Sequence, residues 1–200
     1  MSEPCVCLTG FGAFPGVDRN PTEELARALG ADPPPGVSVR SAVLPVTFAG
    51  VPGAWDALLA SEGPAPHLLL SLGVHPGESF RLESRARGVL SAPKPDNDGV
   101  LGEGLVLEDG VDRETSLPLE ELAEELRAAG AAPVEVSTDA GGYVCDRTLH
   151  YLLGRAAERS IPGLFLHVPP LEQRSVPDQL AVLRAWLPRL AARARAMAGV

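Results

Sequence analysis

Residues 5–30 read CVCLTGFGAFPGVDRNPTEELARALG, a stretch that predicts a β-strand, a loop and an α-helix in succession. Residues 5–10 form an apolar run of strand length, typical of a strand that is buried on both faces of a parallel sheet. The helix has a clear start, because Asn20 precedes Pro21 at the first helical position and Glu23 stands where a capping box would place it. We therefore expect a β–α unit at the start of the fold.

The same alternation continues along the chain, where apolar runs of strand length are separated by helical patterns. Such alternation indicates an α/β fold, in the form of a three-layer α/β/α sandwich with a mostly parallel central sheet. Residues 80–113 interrupt the alternation with prolines, glycines and charges, and predict an excursion of short strands and loops near the carboxyl edge of the sheet. Strands are predicted at residues 5–10, 37–44, 66–73, 133–138 and 163–168, and helices near residues 21–30, 50–61, 118–129, 145–159 and 177–197.

Length and composition limit the classes of protein to consider. The chain has 200 residues, of which 45% are hydrophobic, and this is enough for one α/β domain over residues 1–200. The net charge of -9 gives no basic surface for nucleic acid or an anionic membrane, so neither is expected as a partner. No apolar run approaches the roughly 20 residues of a membrane helix, and the first residues lack the pattern of a secretory signal. We expect a cytoplasmic protein, and whether it forms a homo-oligomer is left open.

The three cysteines are an odd number, which argues against a disulfide framework. Cys5 and Cys7 would lie about 6.5 to 7 Å apart on one face of the first strand, a poor geometry for a bridge, and are expected to be small buried residues. Cys145 instead follows Gly141 and Gly142 at the predicted start of a helix. The helix dipole and unpaired amides there favour a thiolate, and amides of the glycine turn could hold an oxyanion. The local pattern alone allows either a nucleophile or a packed small residue.

A thiolate that transfers an acyl group needs a base that can later act as an acid, and histidine does both near neutral pH. His150 lies about 140° around the predicted helix from Cys145, and His67 begins a strand at the opposite edge of the sheet. His75 and His167 both follow strands at the carboxyl edge, where ligands of such sheets bind. His167 is preferred because a buried strand supports it, and His75 is its rival.

The third role, an acid that orients the imidazole, has several candidates. Glu83 is one of them, but Glu78, Asp96 and Asp98 lie nearby, and the pattern does not choose among them. No cluster of histidines and cysteines has the spacing of metal ligands, and residues 94–99 match a calcium loop only in their first positions. Neither a metal nor another cofactor is expected.

Four segments together resemble pyroglutamyl peptidase I, also called pyrrolidone-carboxylate peptidase, a family of cysteine peptidases that remove amino-terminal pyroglutamate. The resemblance is colinear over nearly the whole chain, and the order and spacing of the segments make it specific. The segments are LTGFGAFPGVDRNP at residues 8–21, LPVTF at 44–48, DAGGYVCDRTLHYLL at 139–153 and GLFLHVPPLEQ at 163–173.

The resemblance implies a catalytic set and a substrate pocket. The substrates implied are small peptides with an amino-terminal pyroglutamyl group, and no cofactor is implied. By position, Cys145 matches the nucleophile, His167 the general base and acid, and Glu83 the third catalytic residue. Phe11 and Phe14 match aromatic residues that enclose the lactam ring, and Asn20 matches an asparagine that helps to fix it.

The chain also departs from the family pattern. The segment Val74–Glu78 is slightly shorter and has an acid where the family has an arginine, and Pro93 replaces a second arginine. Asp146 replaces the asparagine that follows the cysteine, and residues 85–88 read RARG in place of Val-Ala-Ile-Asn. Two alternatives therefore stay open: a thiol amidase for another small N-acyl cap, and a catalytically inactive relative that only binds.

Overall fold

The computed structural model describes residues 3–199 and has eight strands and five helices, consistent with the order that the sequence predicts. The predicted helices and strands are each present, and the α/β/α sandwich is confirmed. The strands are β1 Cys5–Phe11, β2 Ser38–Leu44, β3 Leu68–Val74, β4 Phe80–Glu83, β5 Arg85–Ala86, β6 Arg113–Glu114, β7 Val134–Ser137 and β8 Gly163–Val168. The helices are α1 Pro21–Ala31, α2 Gly50–Ala60, α3 Leu119–Ala128, α4 Val144–Ala157 and α5 Val176–Met197.

The central sheet has six strands in the order β2-β1-β3-β8-β4-β7. Its first four strands are parallel to one another, whereas β4 pairs antiparallel with β8 and β7 pairs parallel with β4. The sheet is therefore mostly parallel, as predicted. Because β7 runs in the opposite direction to β8, residues 139–145 do not leave the sheet at the carboxyl edge of β8. The loop after β7 instead turns back to reach that edge.

The excursion over residues 80–113 does contain the short strands that the sequence predicts, but its first strand has a different place. β4 lies inside the central sheet between β8 and β7, and only β5 and β6 form a separate antiparallel ribbon. β4 has four residues, FRLE, in which charged and apolar side chains alternate. A run this short carries too little periodicity to place it in a sheet.

Two apolar clusters cover the faces of the sheet. Side chains alternate between the faces along each strand, so Leu164 and Leu166 point to one face and Phe165 to the other. The first face packs on α1, α3 and α5, with Trp186 buried, and the second packs on α2 and α4, with Trp55 buried. None of the helices within residues 3–199 is long and apolar enough to cross a bilayer.

The cysteines of β1 are buried free thiols, as the sequence predicts. Cys5 and Cys7 both have no exposed surface. Burial raises the pKa of the Cys7 thiol to about 11, so this side chain stays protonated and unreactive at neutral pH.

The start of α1 is capped by Asn20, as predicted. Its side-chain oxygen accepts hydrogen bonds from the backbone N–H and the hydroxyl of Thr22 at 3.1 and 2.8 Å. The predicted capping box does not form, because the Glu23 carboxylate instead accepts a hydrogen bond from Nη2 of Arg27 at 2.9 Å. Arg27 lies one turn further along the helix, where it offers a charged partner.

We predict opposite stability effects for two glycine-to-alanine changes. A Cβ at Gly10 in β1 would collide with the backbone carbonyl of Thr22, so Gly10→Ala should destabilise the protein by about 1 to 3 kcal/mol. Gly53 lies exposed in α2 with open space around it, and Gly53→Ala should stabilise by up to about 1 kcal/mol. Urea unfolding of both variants measures these changes, and equal stability of the two would contradict the close approach of β1 and α1.

Candidate active site

The antiparallel pairing of β4 with β8 brings Glu83 to His167. Arg81 pairs with His167 and Glu83 with Phe165, so Glu83 is a diagonal neighbour of His167 on the same face of the sheet. Nδ1 of His167 donates a hydrogen bond to Oε1 of Glu83 at 2.8 Å. Glu83 has 0% of its surface exposed and His167 4%. The buried carboxylate therefore fixes the orientation of the imidazole and leaves Nε2 to serve a different group.

Gly73 provides the space for this imidazole. It pairs with His167 across β3 and β8. A Cβ on Gly73 would lie 2.7 Å from the ring of Phe165 and 3.0 Å from Cδ2 of His167. Only a residue without a side chain fits at this point of β3.

Cys145 is the second residue of α4 and is partly exposed in the pocket that contains His167. Burial by itself would lower the pKa of His167, but the charge of Cys145 and hydrogen bonds to Cys145 and Glu83 outweigh it. Together they raise the pKa of His167 to about 9. His167 therefore favours its protonated form at neutral pH.

Only some of the backbone N–H groups around Cys145 donate hydrogen bonds within residues 3–199. The N–H groups of Gly141 and Gly142 donate to carboxylates at 2.8 and 2.5 Å, so they are not available to hold an oxyanion, contrary to the sequence-based suggestion. No side chain caps α4, and the N–H groups of Val144 and Cys145 have no acceptor within residues 3–199. These two amides at the helix start are the donors that a negatively charged oxygen could use.

A pocket of about 200 Å³ lies at the carboxyl edge of β1, β3 and β8. Its lining includes five of the six residues that the sequence singles out, namely Phe11, Phe14, Asn20, Cys145 and His167. Glu83, the sixth, lies behind His167. The ring of Phe11 packs 6.3 Å from the ring of Phe165, which leaves an apolar wall beside the thiol.

Asn20 has only one polar group left for a ligand. Its oxygen is used by the helix cap, and Nδ2 donates one hydrogen bond to the carbonyl of Gly12 at 3.0 Å. Because an amide nitrogen carries two hydrogens, the second N–H of Nδ2 can still donate into the pocket. The cap and the pocket position are therefore compatible.

His75, the rival of His167, has both ring nitrogens engaged. Nε2 donates to the carbonyl of Ser79 at 2.6 Å, and Nδ1 accepts from the backbone N–H of Gly77 at 3.1 Å. Burial, partly opposed by the bond to Ser79, lowers the pKa of His75 and keeps it neutral. Its ring centroid lies 5.8 Å from that of His167, so His75 forms part of the pocket wall with no nitrogen free for the thiol.

The remaining histidines are distant from the pocket. Nε2 of His150 donates to the carbonyl of Val111 at 2.9 Å, on the far side of α4, as its helical position predicts. Nδ1 of His67 accepts from the N–H of Cys5 at 3.1 Å, at the amino end of β3. Both have structural partners.

The other candidate acids do not reach His167. Asp96 accepts hydrogen bonds from backbone N–H groups, including that of Phe48 at 2.8 Å, and so holds a loop. Glu78 and Asp98 are exposed. Within residues 3–199, no group of three or more histidine, cysteine, aspartate or glutamate side chains is arranged to hold a metal ion.

The sequence reasoning missed four polar residues of the pocket, namely Arg81, Lys94, Asp139 and Tyr143. Arg81 has its Nε 3.7 Å from Oε1 of Glu83 and faces the pocket from β4. Its position two residues before Glu83 could have placed it on the same face of a strand. Lys94 is the only lysine of the sequence, and its Nζ lies 4.1 Å from the ring centroid of Tyr143. Both Lys94 and Tyr143 line the pocket.

We predict that His167 titrates near pH 9 and that Glu83→Gln lowers this midpoint, because an amide cannot balance the imidazolium charge. The folded pKa of His167 lies above its ordinary value of 6.5, so its stabilising contribution is present below pH 6.5 and lost as the pH rises to about 9. Histidine NMR titration measures the midpoint. Glu78→Gln, a change of an exposed neighbour, is the control, and a wild-type midpoint near 6.5 would contradict the pairing.

Comparisons with known proteins show which family the chain is similar to. Residues 5–190 match the family model described as pyroglutamyl peptidase. The pyrrolidone-carboxylate peptidase of Streptomyces coelicolor is 33% identical over 183 residues, which cover 88% of this chain and 82% of that protein. The protein of the same name from Gloeobacter violaceus is 32% identical over 177 residues, covering 86% of this chain and 84% of its own.

Solved structures give the same result. The pyrrolidone carboxyl peptidase of Fervidobacterium islandicum superposes with a TM-score of 0.85 at 26% identity, covering 94% of this chain and 98% of that one. Pyroglutamyl peptidase I of Bacillus amyloliquefaciens superposes with a TM-score of 0.84 at 26% identity, covering 95% and 98%. With the match of the family model and these relatives, we conclude that the chain belongs to the pyroglutamyl peptidase family.

Proposed function

We propose that the chain removes amino-terminal pyroglutamate from peptides by thiolate acyl transfer. Membership of the family makes it a cysteine-type exopeptidase. In our proposal Cys145 is the nucleophile, His167 the general base and acid, and Glu83 the residue that orients His167. The observation that carries this assignment is the buried hydrogen bond of 2.8 Å between His167 and Glu83, next to a partly exposed Cys145 in one pocket.

The first half of the reaction would form an acyl-enzyme. The sulfur of Cys145 attacks the carbonyl carbon of the pyroglutamyl residue, and the developing oxyanion accepts hydrogen bonds from the amides of Val144 and Cys145. His167 donates the proton of Nε2 to the leaving amine as the C–N bond breaks. Glu83 stabilises the imidazolium until this proton has been transferred.

The second half would release the product. Water attacks the thioester carbonyl and gives its proton to Nε2 of His167, and the bond between the carbonyl carbon and the sulfur of Cys145 breaks. Pyroglutamate leaves, and the thiolate–imidazolium pair is restored. One histidine therefore serves as acid in the first half and as base in the second.

The pocket suits an uncharged ring. A lactam carries no charge, so its recognition depends on apolar enclosure and on one or two oriented hydrogen bonds. Phe11 and Phe14 supply the enclosure in our proposal, and the free N–H of Asn20 supplies one hydrogen bond.

The alternatives raised by the altered segment Val74–Glu78 have less support. For an enzyme acting on a different acyl cap, the altered segment supplies no new polar partner through Val74, which adds only an apolar side chain to the pocket. A relative that only binds would have no need of a buried carboxylate behind His167, since such a group is costly to bury.

The cellular location, the partners and the domain organisation of the enzyme are also part of the proposal. We place it in the cytoplasm with small peptides as substrates, because its three cysteines are free and the thiolate needs a reducing compartment. The net charge of -9 supports a protein that binds neither nucleic acid nor anionic membranes. Two apolar clusters on one shared sheet support a single domain.

Removing the proposed nucleophile should abolish turnover. Cys145→Ala should lower kcat for a pyroglutamyl fluorogenic amide by a factor on the order of 10⁴ or more. Cys5→Ala changes a buried thiol outside the pocket and should keep wild-type kcat. Near-normal turnover by Cys145→Ala would refute the mechanism.

Asn20→Ala should affect both binding and stability. Loss of the hydrogen bond to the lactam should lower kcat/KM by a factor that corresponds to about 1 to 3 kcal/mol of transition-state stabilisation. Loss of the helix cap should lower the free energy of unfolding by about 0.5 to 2 kcal/mol. Ser175 caps α5 through a hydrogen bond from the N–H of Asp178, so Ser175→Ala is a matched change of a cap outside the pocket. If both variants lose only stability, Asn20 is a cap and has no role in recognition.

A further inference from the structure

A buried carboxylate follows directly after the proposed nucleophile. Asp146 has 0% of its surface exposed. Its Oδ1 accepts a hydrogen bond from the backbone N–H of Arg87 at 2.9 Å. Its Oδ2 accepts from Nη1 of Arg87 at 3.0 Å and from the N–H of Gly142 at 2.5 Å. The mechanism described above makes no use of this carboxylate.

The same guanidinium also holds the other side of the glycine turn. Nη1 of Arg87 donates to Oδ1 of Asp139 at 2.7 Å, and this oxygen accepts the N–H of Gly141 at 2.8 Å. Gly141 and Gly142 have φ angles of 96° and 65°. Glycine adopts positive and negative φ about equally readily, so its backbone alone does not fix the conformation of this turn. Through the carboxylates of Asp139 and Asp146, Arg87 is therefore linked to both glycines of this turn.

Burial raises the pKa of Asp146, and its bonds to Arg87 and to backbone N–H groups oppose this effect and favour the charged form. The hydrogen bond to Arg87 lowers the pKa of Asp139 to about 2. Arg87 and Asp146 both differ from the family pattern quoted above, which has uncharged residues at these two positions.

We propose that Arg87 and Asp146 are positioning residues, which hold the turn 139–142 and the first turn of α4 so that the free amides of Val144 and Cys145 face the substrate carbonyl. The inference rests on the proposed function only in taking Cys145 as the nucleophile. Amides that hold an oxyanion act only when they are fixed in place before the reaction. The ion pair of Arg87 with Asp146 supplies this rigidity, because it links the turn to the segment that follows β5.

The test compares Arg87→Ile, Asp146→Asn and the double variant, with kcat, KM and the melting temperature measured for each. Arg87→Ile leaves Asp146 buried without its charged partner, and we expect kcat to fall about ten- to a hundredfold with little change in KM. The double variant removes the unpaired charge but also the ion pair, so it should regain melting temperature while its kcat stays below that of the wild type, and recovery of wild-type kcat would overturn the proposal. Arg87→Lys keeps the charge and should lie between the wild type and Arg87→Ile.

Arg85→Ile is the matched control. Arg85 lies on β5, two residues before Arg87, but its ion pair with Asp112 is exposed on both sides. Removing that pair should leave kcat unchanged. If Arg87→Ile lowers the melting temperature but keeps the wild-type kcat of the folded enzyme, the pair is only structural and the proposal fails.

Two further measurements cover the remaining outcomes. If Arg87→Ile does not fold, Arg87→Lys and Asp146→Asn provide the same comparison, and wild-type kcat in both would overturn the proposal. If the wild type itself does not hydrolyse pyroglutamyl amides, the proposed function fails. The rate at which iodoacetamide alkylates Cys145 then tests the positioning role separately, since Arg87→Ile should slow it and Arg85→Ile should not.

Discussion

The hydrogen bond between His167 and Glu83 is the interaction on which the rest of the site depends. A carboxylate without exposed surface is unfavourable unless a positive charge or hydrogen-bond donors compensate it, and the imidazolium provides both. In return, the carboxylate helps to keep that charge on His167, in the pocket that also contains Cys145. The arrangement exists because β4 pairs antiparallel with β8 and because Gly73 leaves room for the ring of His167.

Much of the fold follows from local pattern. The run Leu68–Leu72 is apolar at every position but one and almost wholly buried, so a strand is the natural interpretation. Asn20 before Pro21 begins a helix for local reasons, and Cys145 lies at a helix start that its neighbours also indicate. His167 can be preferred from its place at the end of a buried strand. Such features depend on residues that lie close together in the sequence, so one sequence is enough to predict them.

Other features depend on pairing between distant segments, which no local pattern contains. The direction of β7 is set by its partner β4, and the four residues of β4 are too few to show their place between β8 and β7. Glu83 could not be separated from the neighbouring acids without the resemblance to the family, because its contact with His167 spans 84 positions of the chain. The amides of Gly141 and Gly142 are engaged by carboxylates whose positions the sequence does not show.

The position of Lys94 has a practical consequence. As the only lysine of the sequence, it offers the one side-chain amine of the chain, and it lies against Tyr143 at the pocket. Apart from the terminal amine, a dye or resin that couples to amines can attach only at the mouth of the pocket. Such a label would report directly on occupancy there, and immobilisation through amines would block the entrance, so preparations for binding work need a different point of attachment.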